Sequence, residues 1–310
     1  MGGDFAPEET IKGAVLAQEK LGKETELVLF GKEKQILEKL SHYNSDPANF
    51  IIVNCNETIN MGDDPVKSFK EKTDSEIVKG FYYLKNNLID GFASAGNTGS
   101  MMVGATTMIG VVNGLSRPGI SSYYPNNSGG MSLIMDVGIN ADAKPETLYQ
   151  YAIMADLYAK HIMGIKNPKI GLLNIGSEES KGNATAKITH KLMKGSKDFN
   201  FIGNVEGGDL HKSELVDVII TDGFTGNVIL KHAESFYEML KERNIHDSFF
   251  DNYNYENYGG TPVLGIEKTV VVGHGVSNDI AIQNMILLTK DIIDSKLSEK
   301  ISKIFSYGTN

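Results

Sequence analysis

At 310 residues, with 41% apolar and 22% charged residues, the chain is long enough for one large core or two smaller ones and has a soluble, globular composition. A net charge of −9 with no basic run argues against a nucleic-acid partner, and no apolar stretch approaches the ~20 residues that cross a bilayer. Cys55 is the single cysteine, so an internal disulfide is excluded and a reducing, cytoplasmic setting is expected.

The chain opens on Gly2-Gly3-Asp4, which reads as the loop after a β-strand although no strand pattern precedes it. Residues 10–21 read as a helix, 27–30 and 50–53 as strands, 75–86 as a helix, 91–95 as a strand and 98–111 as a helix. Residues 113–132, rich in Gly, Pro, Asn and Ser, read as a hairpin or arm closed at 126–130. Strand patterns at 133–137, 170–175 and 216–221 alternate with helical ones at 146–163, 184–193 and 228–242, with a weaker strand at 199–203. The clearest helix starts at Pro145 and carries Leu148, Tyr151, Ala152, Ala155, Ala159 and Ile162 on one stripe. Residues 243–262 are polar but hold Phe249, Phe250, Tyr253, Tyr255 and Tyr258, and read as a variable loop packed on its own core. A strand at 270–273 and a helix at 278–295 close the pattern. Such alternation predicts a mostly parallel sheet covered by helices on both faces, in one compact two-lobed unit spanning 1–310.

Five times a strand-like run stops beside paired glycine and asparagine: Gly96-Asn97, Gly138 with Asn140, Asn174 with Gly176, Gly203-Asn204 and Gly226-Asn227. Loops at the carboxyl ends of strands form the ligand crevice of open α/β sheets, and uncharged amides there suit an anion. In residues 94–99, Asn97, Thr98 and Gly99 offer an amide, a hydroxyl and backbone N–H groups at a helix start. In residues 173–183, Lys181 suits a phosphate or a developing oxyanion, with Glu178 or Glu179 to orient it. Asp222 and Asn227 bracket a further strand-to-helix loop, in which Asn227 is a neutral donor to a carbonyl or tetrahedral oxygen. Asp136, Asn140 and Lys144 gather acid, amide and ammonium after one strand, and His274 sits between two glycines after another. Arg117 is one of only two arginines among 30 basic residues and suits a two-pronged clamp on phosphate or carboxylate. The plain alternative for these loops is a tight turn with an N-cap, and for the Lys181 loop a solvated charge run. Nucleotide-binding glycine motifs, the hydrolase nucleophile elbow and zinc-type histidine spacing are all absent.

Taken in order, residues 1–4, 94–99, 117–118, 136–140, 144–146, 172–176, 181–183, 201–207, 222–227, 258–260 and 274–275 resemble the PlsX family of bacterial phosphate acyltransferases. The resemblance implies a single two-lobed α/β catalytic domain, a three-layer α/β/α sandwich with a mostly parallel mixed sheet similar to the isocitrate and isopropylmalate dehydrogenases, a homodimer, and no organic cofactor or metal. It implies transfer of a long-chain acyl group from acyl carrier protein to inorganic phosphate, giving acyl phosphate for phospholipid synthesis. Lys181 and Asn227 then act at the reacting carbon. Asp4, Asn97, Thr98, Gly99, Arg117, Asp136, Asn140, Lys144, Asn174, Asn204, Asp222 and His274 form the substrate-binding set. The expected location is the cytoplasm, peripherally at the inner face of the membrane, beside a downstream membrane acyltransferase. Three departures stand out. The family's first strand, which precedes Gly-Gly-Asp, has no counterpart here. Residues 243–258 are short and polar where members carry a longer helical excursion, and Val276 and Ser100 replace the usual serine and alanine. Rival readings are a coenzyme A-dependent phosphate acetyl- or butyryltransferase, a metal-dependent hydroxyacid dehydrogenase, and a non-catalytic scaffold for acyl carrier protein.

Overall fold

The computed structural model describes residues 2–307, and for Tyr255 and Tyr307 the backbone only; Met1 of the Gly-Gly-Asp motif lies outside the described residues. The chain forms two compact units. One consists of Met1–Val111, Tyr255–Pro262 and Ile266–Asp294, the other of Val112–Asn254, Val263–Gly265 and Ser295–Asn310.

The first unit begins with α1 (Glu8–Lys20), β1 (Leu27–Gly31), α2 (Glu33–His42) and β2 (Phe50–Asn54). It continues with α3 (Pro65–Glu71), α4 (Glu76–Lys85), β3 (Gly91–Ser94) and α5 (Thr98–Gly104). α1 turns Ile11 and Ala14 inward, and these pack with Ile36 and Leu40 of α2 and Phe50 of β2, each apolar at helical or strand period. β1 and β2 pair in parallel, Leu27 opposite Phe50. Asp64, Ser75 and Asn97 each accept a backbone N–H at the start of α3, α4 and α5, which fixes where those helices begin.

The second unit holds β4 (Gly119–Pro125), β5 (Met131–Met135), α6 (Pro145–His161), β6 (Lys169–Leu173), α7 (Ala184–Lys194), β7 (Asn200–Val205), β8 (Val218–Ile220) and α8 (Gly223–Glu242). Strands β5, β8, β6 and β7 lie side by side in that order and are parallel. The hairpin expected near residues 113–132 is β4 and β5, antiparallel from Ser121 opposite Met135 to Pro125 opposite Met131. Beyond these come β9 (Gly260–Leu264), β10 (Thr269–Gly273), α9 (Asp279–Asp294) and α10 (Leu297–Tyr307). In the first unit β10 is parallel to β3 and antiparallel to residues 260–262 of β9. In the second, Leu264 and Val263 of β9 lie antiparallel to Gly119 and Ile120 of β4. The class is therefore α/β with mixed sheets flanked by helices.

Two local readings change. β9 falls at the end of the stretch expected to be a loop; its Pro262 lacks an N–H, and such a residue argues against an inner strand. The aromatic part of that stretch does pack on its own unit, with Phe249 against Phe250 and Tyr253, Phe236 against Phe250, and Tyr124 against Tyr253. Gly203 and Asn204 do not follow a strand but lie within β7, at a bulge where Ile170 faces Phe201 and Gly171 faces Gly203. Gly203 has φ 102°, open to glycine and strained for other residues.

Within the first unit a cavity of about 400 Å³ runs between Leu27–Phe30 and Gly91–Ala95, with Gly2 and Glu76 in its wall. Among the described residues β1 pairs only with β2, and β3 only with β10. Gly2-Gly3-Asp4, expected to follow a strand, thus starts beside two strand edges that no described strand occupies.

Candidate active site

In the second unit, the loops after β5, β8 and β6 leave from carboxyl ends that share one edge because these strands are parallel. Asp136 follows β5 directly and is fully buried. Its carboxylate accepts the N–H groups of Ile120 at 3.2 Å, Ile139 at 3.4 Å and Asn140 at 2.7 Å. The Asn140 amide donates to the Pro118 carbonyl at 2.8 Å, to Asp136 at 3.3 Å and to the Tyr151 hydroxyl. Burial above all, with the Asp136 charge adding and the Arg117 charge opposing, pushes the Tyr151 phenol far up, so it remains a neutral donor. It gives its proton to the same Pro118 carbonyl at 3.2 Å. Pro118 is thereby fixed from two sides, and the preceding Arg117 is exposed. Among the described residues its guanidinium has no hydrogen-bond or ion-pair partner.

Asp222 caps α8, accepting Thr225 N–H at 2.8 Å and the Thr225 hydroxyl at 3.0 Å. The helix starts at Gly223, so Asn227 sits inside its first two turns and is not the cap. Gly223 N–H donates to the Asn140 carbonyl at 2.8 Å. A Cβ on Gly226 would lie 1.9 Å from the Asp136 carbonyl, so only glycine lets α8 approach the β5 loop this closely. The exposed Asn227 side chain stands over Gly138, its Oδ1 3.5 Å from where a Cβ would be, and has no hydrogen-bond partner among the described residues.

After β6, Asn174 takes the Ile175 N–H at 2.8 Å and donates to the Lys181 carbonyl at 3.2 Å. The Glu178 carbonyl takes the Lys181 N–H at 3.0 Å, closing the turn. Lys181 is exposed, and among the described residues its ammonium forms no ion pair. Neither acid orients that ammonium. Glu179 pairs instead with Lys194, whose ammonium holds its carboxyl below the usual range, and lies 3.8 Å from His190 Nε2. Asn204 is buried: Oδ1 meets His190 Nδ1 at 3.0 Å and Nδ2 donates to the Glu178 carbonyl at 2.9 Å. Lys144, just before α6, is exposed with no side-chain partner among the described residues.

The first unit carries its own loop cluster. Asp4 N–H donates to the Gly275 carbonyl at 2.7 Å, and Gly2 packs on Gly96, whose Cα would be 2.6 Å from a Gly2 Cβ. Asn97 is 4% exposed, and both polar atoms of its side chain are engaged. Its oxygen accepts Ser100 N–H at 2.9 Å, and its amide donates to the carbonyls of Asn60, Met61 and Asp63, each at 3.1 Å. Thr98 is exposed at the head of α5, and Gly99 packs on Pro65. The His274 carbonyl takes the N–H of Ser277 at 3.0 Å and its hydroxyl at 2.6 Å. Among the described residues no cluster of three His, Cys, Asp or Glu side chains suits a metal ion.

Sequence reasoning missed Tyr151 and His190 as parts of these networks. Tyr151 reads as one more member of an apolar helical stripe, and His190 as an isolated histidine in a helix, so neither carried a local signal.

The sequence profile of the family described as "Fatty acid synthesis protein" matches residues 1–300. A phosphate acyltransferase of Dictyoglomus thermophilum is 40% identical over 331 residues, covering 99% of this chain and 98% of its own. Another, from Halothermothrix orenii, is 39% identical over 318 residues, covering 96% and 94%. The chain belongs to the phosphate acyltransferase family. Solved structures place the acyltransferase fold among related folds. A phosphotransacetylase from Staphylococcus aureus matches with a TM-score of 0.62 at 13% identity, over 93% of this chain and 92% of that one. A branched-chain phosphotransacylase from Enterococcus faecalis matches with a TM-score of 0.62 at 12% identity, over 94% and 96%. A 4-hydroxythreonine-4-phosphate dehydrogenase from Klebsiella pneumoniae matches at 0.52 and 11% identity, over 93% and 94%. At these identities the likeness concerns the fold, and it agrees with the dehydrogenase-like sandwich expected for a phosphate acyltransferase.

Proposed function

We propose that this phosphate acyltransferase moves a long-chain acyl group from acyl carrier protein to inorganic phosphate, forming acyl phosphate for phospholipid synthesis. A phosphate oxygen attacks the thioester carbon, and the carbonyl electron pair moves onto oxygen. Collapse of the tetrahedral centre breaks the C–S bond, and the departing thiolate takes up a proton. The protein's task in such a direct transfer is to aim phosphate and stabilise the oxyanion.

The observation that carries this reading is a contrast within the second unit. Asp136, Asn140, Asp222 and Asn204 are occupied with internal hydrogen bonds, whereas Lys181, Asn227 and Arg117 present exposed donors without partners among the described residues. Lys181 and Asn227 stabilise the tetrahedral oxygen, and Arg117 with Lys144 draws phosphate. Asp136, Asn140, Asn174, Asn204 and Asp222 hold the loops that carry those donors. In the first unit Thr98, Gly99, Asp4 and His274 bind phosphate or the pantetheine end of the donor, on a loop that the Asn97 side chain holds. The reading extends to a cytoplasmic homodimer, peripheral at the membrane, that passes its product to a membrane acyltransferase. No helix among the described residues is long and apolar enough to cross a membrane.

The test is phosphate-dependent thiol release from acyl carrier protein carrying a long-chain acyl group. Turnover with the carrier at least tenfold faster than with acyl coenzyme A supports the reading. A second reading, transfer to and from coenzyme A, is favoured by the phosphotransacetylase fold neighbours, and a preference for short acyl coenzyme A would establish it instead.

A further inference from the structure

We infer that His190 and Asn204 form a buried relay that aims Lys181, making His190 a positioning residue for the transfer. The inference rests on the proposed role of Lys181. Lys181 is exposed and its ammonium has no ion-pair partner among the described residues, so nothing at the head of the side chain orients it in the free protein. Its direction is set at its root, by the turn in which Lys181 N–H donates to the Glu178 carbonyl at 3.0 Å. That carbonyl has a second donor, Asn204 Nδ2 at 2.9 Å, reaching across from β7. Because the Asn204 nitrogen points at a carbonyl, its oxygen must face His190 Nδ1, 3.0 Å away. An amide oxygen only accepts, so Nδ1 of His190 carries a proton and donates it.

The relay is sheltered from water, with His190 4% and Asn204 9% exposed. A buried amide with both ends satisfied has one low-energy orientation, since flipping it would set two donors and two acceptors against each other. The Phe201 ring meets the His190 ring edge-on at 5.2 Å, which fixes the imidazole plane. Nε2 faces the Glu179 carboxylate at 3.8 Å, already held by Lys194. His190 and Lys194 lie on α7, Asn204 on β7, and the turn follows β6, so three elements converge on one carbonyl behind Lys181. The β7 bulge at Gly203 is what turns Asn204 toward the turn in this strand.

The relay is tested by His190→Leu, which removes the donor, and His190→Asn, whose amide nitrogen falls near the Nδ1 position. Misaiming Lys181 is expected to lower kcat about 10- to 100-fold, with KM for phosphate within about threefold, and His190→Asn is expected to recover most of the loss. In a Lys181→Ala background, His190→Leu should add less than about threefold, because the residue it aims is gone. Full additivity, or a His190→Leu enzyme with normal kcat, overturns the inference. A readout without turnover separates this from the function itself: backbone amide exchange at Lys181 should quicken at least tenfold in His190→Leu and stay near wild type in His190→Asn. Unchanged exchange overturns the relay whatever the reaction proves to be. Should His190→Leu fail to fold, Asn204→Asp takes its place, since an oxygen facing the Glu178 carbonyl must break the same link. Conversely, an Asn204→Asp enzyme with wild-type kcat and Lys181 exchange overturns it.

Discussion

The Lys181 and Asn227 loops of the second unit and the Asn97 loop of the first begin from the same sequence signal, glycine beside asparagine at the end of an apolar run. They end in opposite states. Asn97 has both side-chain polar atoms engaged, joining the head of α5 to the carbonyls of Asn60, Met61 and Asp63. Asn227 sits in the helix after its cap, exposed over Gly138, while Asp222 satisfies the helix start. An amide that caps and ties a loop is a structural part, and whatever it contributes to a ligand comes through the backbone it holds. An amide or ammonium left open beside such a cap is available for a substrate. The difference separates residues whose loss should appear in stability from those whose loss should appear in rate.

The largest effect expected on that view is from Lys181→Ala, which should reduce phosphate-dependent thiol release by about 10²- to 10³-fold and leave the unfolding midpoint unchanged. Near-normal turnover would end the assigned role. Asn227→Ala removes one neutral donor and should lower kcat about tenfold, again without loss of stability. Asn97→Ala should do the reverse. Losing a cap and leaving three carbonyls without their donor should destabilise the fold by about 2–4 kcal/mol in denaturant titration, with a smaller rate loss per folded molecule than Lys181→Ala. If Asn97→Ala instead kills activity at full stability, the comparison fails.

Acid should also weaken the first unit near the Asn97 contacts. The Lys72 ammonium, with Asn60 N–H, holds the Asp63 carboxyl below the ordinary 3.8, and Lys79 with Asn56 does the same for Asp74. Carboxyls lowered in the folded state add stability that is complete above 3.8 and is lost as pH falls through their folded values. Thermal midpoints measured from pH 5 down to pH 2 should fall less steeply once Lys72→Met has removed the first partner. Glu76 should have the opposite sign and the smallest effect. Burial raises its carboxyl above 4.5, and Oε1 has no partner among the described residues, so Glu76→Gln should raise the melting point near neutral pH. That advantage should fade as pH falls through the raised value and vanish below 4.5.

Much of the architecture was legible because its signals are local. Apolar periodicity marked α6 with its Pro145 start, and apolar or β-branched runs marked β1, β2, β3, β6, β8 and β10. β9 was hidden because Pro262 is the residue least expected in an inner strand, even though its antiparallel neighbour β10 follows only a few residues later. The start of α8 was misplaced for a related reason. Gly-Phe-Thr-Gly-Asn looks like a loop by propensity, yet the close approach of Gly226 to Asp136 makes it helix.

The candidate site divides along the same line. Residue types alone determined which side chains could serve phosphate chemistry, since an ammonium, a guanidinium and amides between glycines are suited to anions wherever they fall. Order along the chain determined the family. Only the tertiary structure decided which of those groups are open and which are engaged, because hydrogen-bond partners such as Tyr151 for Asn140, or His190 for Asn204, come from elements with no sequence link to the loops they hold.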